Sequence, residues 1–189
     1  SNFAVGYTDN GTENGEIASD LIGAIVGEIA SAGDFEISNV KVESLALEVD
    51  RFSTPTMGGV IGQIGRGPSG ETDVTLSGLV VKSSSFKTET LNDASVGGLI
   101  GRLDTIDTLQ LTNSYFNGEM KPYDASRGKA FGAIVGNMSN ITSSTGPSGT
   151  IENIYMVIRD GINADADTGL DAFGDINTDL DSNSSPLTV

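Results

Sequence analysis

The chain has 189 residues with 37% hydrophobic content, 25 Gly, no Cys, no His and no Trp, and a net charge of -16 from 10 basic and 26 acidic residues. That balance argues against nucleic acid as a partner and against insertion into or binding on an anionic membrane, both of which favour basic or long apolar surfaces. The missing Cys excludes disulfides and thiolate chemistry, and the missing His removes H-E-x-x-H zinc sites and Ser-His-Asp systems. The modest apolar fraction suits a thin core refilled along a stack, and its dense, regularly spaced blocks argue against disorder.

In chain order, residues 1–20 begin with Asn2-Phe3-Ala4-Val5, which matches the end of a motif found further on. From Leu21 the pattern becomes regular. Ile22-Gly23-Ala24-Ile25-Val26-Gly27-Glu28-Ile29 returns as Met57-Gly58-Gly59-Val60-Ile61-Gly62-Gln63-Ile64. It returns again as Val96-Gly97-Gly98-Leu99-Ile100-Gly101-Arg102-Leu103 and as Phe131-Gly132-Ala133-Ile134-Val135-Gly136-Asn137-Met138. The eight places of this first block read apolar, Gly, small, apolar, apolar, Gly, polar, apolar. The second glycines, Gly27, Gly62, Gly101 and Gly136, are spaced by 35, 39 and 35 residues. A fixed period of this size marks units that bury their apolar faces only by stacking on one another. Strand geometry puts places four, six and eight on one face and place seven on the other. Place five is apolar and has no role in that scheme.

A second block follows each first block: Ile37-Ser38-Asn39-Val40-Lys41-Val42, Leu76-Ser77-Gly78-Leu79-Val80-Val81, Leu111-Thr112-Asn113-Ser114-Tyr115-Phe116 and Ile151-Glu152-Asn153-Ile154-Tyr155-Met156. The third place alternates between Asn and Gly, the residues that best tolerate positive φ. Places one and four fall on opposite faces of a straight strand, and a corner at the Asn or Gly returns places one, four and six to the same side. The prediction is a β-arc.

These patterns predict an all-β chain, a right-handed parallel β-solenoid (β-helix) of about four 35–40-residue repeats with partial repeats at both ends. Residues 1–20 form the partial N-terminal coil, 21–160 the repeats, and 161–189 an acidic C-terminal cap or linker. Within the last segment, Ala172-Phe173-Gly174-Asp175-Ile176 reads as a degraded first block. The Ser-, Thr-, Gly- and Pro-rich stretches between blocks, such as Arg51–Thr56, Phe86–Ala94 and Lys121–Lys129, are expected to protrude as loops, where a solenoid carries its function.

Stacking of the first block places Glu28, Gln63, Arg102 and Asn137 in one outward row, expected as solvated surface. A carbohydrate-active enzyme on a β-helix would need carboxylates, or a carboxylate with Arg or Lys, on such a face. Tyr115 and Tyr155 share place five of the second block, where Lys41 and Val80 stand in the other copies. Two readings remain: a ladder that stacks on a sugar ring, or cross-coil packing, which the sequence favours. Tyr123 lies near Lys121 and Arg127 in the most prominent candidate contact loop. Asp165, Asp167 and Asp171 alternate around Gly169 and are candidate ligands for Ca²⁺, although the EF-hand pattern fails because Gly174 stands where its Glu would be. No flat Thr array is expected, because no Thr recurs at one place.

Together the blocks resemble the GLUG repeat of large bacterial surface proteins. The nearest copy is Gly97-Gly98-Leu99-Ile100-Gly101 followed by Leu111-Thr112-Asn113-Ser114-Tyr115-Phe116-Asn117-Gly118, and the resemblance runs from about Leu21 to Val157. Ala24 and Ala133 depart from it in place of the second Gly. It implies filamentous-haemagglutinin-like adhesins and the non-catalytic regions of IgA-cleaving proteases, and carries over no catalytic residue. The expectation is therefore an extracellular, non-catalytic binding or structural module of a bacterial surface adhesin, which meets a glycan or protein through its loops and self-associates through open solenoid ends. The alternative is a fragment of a β-helix polysaccharide lyase or hydrolase.

Overall fold

A computed structural model describes residues 21–30, 33–49, 55–65, 73–88, 94–104, 106, 108–121, 131–139, 148–158 and 173–176. Among these the regular structure is all strand. The first stretch carries β1 (Leu21–Gly23), β2 (Val26–Ile29), β3 (Phe35–Ser38), β4 (Lys41–Glu43) and β5 (Ala46–Val49). The second carries β6 (Thr56–Gly58), β7 (Ile61–Ile64), β8 (Asp73–Ser77) and β9 (Val80–Thr88). The third has β10 (Ser95–Gly97), β11 (Ile100–Asp104), β12 (Thr108–Thr112) and β13 (Tyr115–Lys121). Then come β14 (Phe131–Gly132), β15 (Val135–Ser139), β16 (Ser148–Glu152), β17 (Tyr155–Ile158) and finally β18 (Phe173–Ile176).

Strands at equivalent block positions pair in parallel and build four stacked sheets. Sheet one runs β1-β6-β10-β14 and sheet two runs β2-β7-β11-β15-β18. Sheet three runs β3-β8-β12-β16, and sheet four runs β4-β9-β13-β17 with β5 also on β9. Block positions stack without slippage: Ile22 faces Met57, and Val96 faces both Met57 and Phe131. The degraded block joins in the same register, with Phe173 beside Val135 and Ile176 beside Met138. This is an all-β parallel stack consistent with a β-solenoid.

The first block differs from the sequence expectation. It is two short strands with a bend at places three and four, where a single strand was expected. At each bend one carbonyl accepts two successive N–H groups from the neighbouring layer: Val60 O from Ile25 and Val26, Leu99 O from Val60 and Ile61, and Ile134 O from Leu99 and Ile100. Two consecutive N–H groups aimed the same way break the alternation of a strand, as in a bulge. In the second, third and fourth copies both flanking side chains are then fully buried, as at Val60 and Ile61, Leu99 and Ile100, and Ile134 and Val135, while in the first copy Ile25 is exposed and Val26 half-buried. That accounts for the apolar place five. The glycines of the block permit close backbone approach: a Cβ on Gly97 would strike the Ile100 carbonyl and lie 2.8 Å from the Gly136 nitrogen.

The second block folds as its parity break requires. Asn39, Gly78, Asn113 and Asn153 have φ of 56°, 63°, 51° and 56°. The corner N–H groups of Asn39, Gly78 and Asn113 donate to Ser77, Thr112 and Glu152 of the adjoining layers, so no ladder bond is lost at the turn. Leu76, Leu79, Val81, Leu111 and Phe116 point inward and are buried. Ser114 stands at the apolar place four and is also buried. Its Oγ donates to Thr112 O (2.9 Å) and accepts from Leu79 N (3.2 Å), which satisfies the hydroxyl inside the core.

The segments after the second block hold a further inward run that the loop assignment overlooked. Leu45, Leu47, Phe86 and Met120 are buried, and Phe86 packs on Phe116 with centroids 6.0 Å apart. Burial of each such ring contributes about 1.5–3 kcal/mol. Phe86–Thr88 thus continues β9, Lys121 ends β13, and Thr56 begins β6. The expected loops are shorter than their composition implied.

Candidate functional site

The outer side of sheet four gathers most of the described cationic side chains and both described tyrosines. Parallel register arranges them in rows. Lys41, Val80, Tyr115 and Tyr155 form the first, and Glu43, Lys82 and Asn117 lead the second, which ends at Val157. Glu48, Lys87 and Lys121 form a third, beside a row of Ala46, Ser85 and Glu119. Adjacent parallel strands lie about 4.8 Å apart, so each row is a ladder of side chains at near-contact spacing.

Tyr115 and Tyr155 use that spacing. Their rings stack with centroids 5.6 Å apart and planes 9° off parallel. Cross-coil packing between the tyrosines is therefore present. The Lys82 ammonium lies over the Tyr115 ring, 5.6 Å from its centroid, a contact worth about 0.5–1 kcal/mol at an exposed site. The Asn117 amide donates to the Tyr115 hydroxyl at 2.7 Å, fixing the ring edge. The result is a column of cation, ring and ring, ending at Tyr155, which is 65% exposed.

Ion pairs organise the rest of the face. Lys41 meets Glu43 at 2.8 Å, Lys87 meets Glu48 at 2.6 Å and Lys121 meets Glu119 at 2.7 Å. The hydrogen bond from Lys41 outweighs desolvation and, with the charges of Lys41 and Lys82, holds the Glu43 carboxyl below its ordinary range. Four of the five lysines of the chain lie on the outer side of sheet four, Lys41 and Lys82 before the positive-φ residues Ser44 and Ser83 and Lys87 and Lys121 in the rows after them. Opposite them stand three glutamates, Glu43, Glu48 and Glu119. The face is close to neutral in a chain of net charge -16.

Sheets two and three are different. The row Glu28, Gln63, Arg102 and Asn137 on sheet two is stacked as expected, and Asp175 continues its register. It is not the open solvated row anticipated: Gln63 is buried, and Glu28, Arg102 and Asn137 are half-buried. Gln63 Nε2 donates to Gly65 O at 3.0 Å, and Arg102 pairs with Asp104 at 3.3 Å. The outer side of sheet three carries Glu36, Thr75, Gln110 and Thr150 in one row. Thr75 and Thr150 therefore do share a place, contrary to expectation, and Gln110 interrupts them.

Of the residues singled out in the sequence, Tyr115, Tyr155 and Lys121 come together on sheet four. Lys121 is a strand residue paired with Lys87, not part of a protruding loop. Tyr123 and Arg127 lie outside the described residues, as do Asp165, Asp167 and Asp171. Among the described residues no cluster of Asp and Glu is suited to a metal ion, and no helix is long and apolar enough to cross a membrane. Lys82, Asn117 and the three glutamates were missed in the sequence. The signal for them was available, since Lys82 and Asn117 each stand two places after the tyrosine position and so share its side of the strand.

The described chain thus defines an all-β protein of stacked parallel sheets with one mixed-charge, aromatic outer face. Comparison with protein-family models, with curated proteins and with solved structures finds no match.

Proposed function

We propose that the chain is a non-catalytic, extracellular binding module of a bacterial surface adhesin, and that it recognises a glycan through the outer face of sheet four. One observation carries this reading: the Lys82–Tyr115–Tyr155 column, flanked by the Asn117 amide and by lysine–glutamate pairs. Exposed rings offer apolar faces to the C–H face of a sugar, and amides, ammonium groups and carboxylates serve its hydroxyls. The GLUG-like blocks, the acidity and the absence of Cys support the bacterial surface assignment.

The finer architecture proposed is a right-handed β-helix of about four repeats with partial repeats at both ends, and with self-association through the solenoid ends. Parallel strands joined by crossovers are right-handed in nearly all cases, which supports the hand. Calcium held by Asp165, Asp167 and Asp171 remains a proposal resting on residue type alone.

The test is a glycan and protein array probed with the chain, with and without Ca²⁺, followed by Tyr155→Ala. Binding to a glycan that falls with this substitution supports the reading. Silence under both conditions leaves a spacer role. Turnover of a polysaccharide, lost on Glu28→Gln or Arg102→Gln, would replace it with the enzyme alternative.

A further inference from the structure

We infer that the ligand of sheet four is a mainly neutral glycan carrying isolated in-chain uronic acid residues. The inference rests on the glycan reading above and adds the charge of the sugar. Its basis is the uneven placement of charge. Among the described residues, Arg102 is the one cation on the outer sides of sheets two and three, and Glu28, Asp104, Glu36, Asp73 and Glu152 stand on the same sides. Sheet four holds the four lysines. Electrostatic range is short in salt, about 10 Å at 0.1 M, so a ligand on this face meets the lysines before it meets the remaining acidic surface.

The same distribution limits how much negative charge the ligand carries. Glu43, Glu48 and Glu119 alternate with the lysines, and the chain as a whole is strongly acidic. A polyanion with a charge on every residue would place carboxylates against these glutamates as well as against the lysines. A chain of neutral sugars with a carboxylate at intervals avoids that cost. Its uncharged residues offer hydroxyls to Glu43 and Asn117, and a pyranose C–H face to the exposed Tyr155 ring. Its carboxylate meets Lys82, whose ammonium is exposed at the other end of the aromatic column and is held there by the Tyr115 ring. A uronic acid within the chain is favoured over a terminal acidic sugar because Lys41 and Lys82 stand on the adjacent strands β4 and β9, in the rows that continue to Tyr115 and Asn117, and so face a ligand lying along the stack.

The experiment is a calorimetric titration of the whole chain with three matched sugars: a neutral β-1,4-glucan hexasaccharide, the same hexasaccharide with one residue oxidised to glucuronate, and the fully oxidised hexaglucuronate. The singly oxidised sugar is expected to bind roughly fivefold tighter than the neutral one at low salt, the scale of one exposed ion pair. The fully oxidised sugar is expected to bind no better than the singly oxidised one. Lys82→Gln should erase the preference, so that the neutral and singly oxidised sugars bind alike, and Tyr155→Ala should weaken all three. Equal binding of the neutral and singly oxidised sugars, or a preference that survives Lys82→Gln, overturns the inference and leaves the glycan reading standing. Absence of binding by all three, with circular dichroism showing folded protein, overturns both.

Discussion

The bend in the first block and the corner in the second both redirect the chain, and both depend on glycine, yet for different physical reasons. In the first block the constraint is space. A side chain on Gly97 or Gly58 would occupy the position of a neighbouring carbonyl. In the second block the constraint is backbone conformation. Positive φ is required, and Asn supplies it at Asn39, Asn113 and Asn153 where Gly supplies it at Gly78. At places two and six of the first block the steric glycine recurs in all four copies, whereas the conformational glycine of the second block exchanges with Asn.

The largest effect that would test this contrast is Gly97→Ala. The added methyl meets backbone held by ladders on both sides and cannot be relieved by a rotamer change, so a loss of about 3 kcal/mol or more is expected in urea unfolding. A loss under 1 kcal/mol would show that the two sheets can separate and that the contrast is false. Next, Ser114→Ala leaves the buried Leu79 N–H without its side-chain acceptor and should cost about 1–3 kcal/mol. Retention of full stability would mean that the Leu79 amide finds another partner.

Asn113→Ala comes third. It places an ordinary side chain at φ 51° and removes the acceptor of the Asn153 amide, for an expected cost of about 1–2 kcal/mol. Asn113→Gly should recover most of that, because Gly adopts the same φ freely. If Ala and Gly behave alike, the corner is held by its hydrogen bonds and not by conformational preference. The smallest effect is electrostatic. By NMR titration Glu43 should have a midpoint below that of an ordinary Glu, and Lys41→Met should raise it. A depressed carboxyl pKa stabilises the folded state above the unfolded-state pKa, and that contribution is lost as pH falls through the folded value. Glu43 is fully exposed, so the titration midpoint is the readout.

Much of the fold was legible because a repeat converts one observation into several. Four copies of each block mark the strand positions, and the parity break at Asn or Gly locates the corner. The bend within the first block was not legible. Alternation predicts a straight strand, and only hydrogen bonding between layers reveals that two successive amides share one acceptor. The inward run at Leu45, Leu47, Phe86 and Met120 was missed because its turn-like neighbours masked a clear alternation. For the candidate site, Tyr115, Tyr155 and Lys121 were found by repeat position or by charge. Lys82 and Asn117 were not: Asn117 meets Tyr115 from two residues along the same strand, and Lys82 meets it from the neighbouring layer.

The sequence alone determined the parallel, layered organisation, the Asn or Gly corners and the acidic character, since each follows from period, backbone tolerance and residue count. The tertiary structure decided which rows face outward and which are covered. Place seven of the first block and place five of the second are both non-core positions in the repeat, yet place seven is buried or half-buried in all four copies and place five is exposed at Lys41 and Tyr155. Burial depends on what packs over a strand. That is a property of the assembled stack and not of the pattern along any one of its strands.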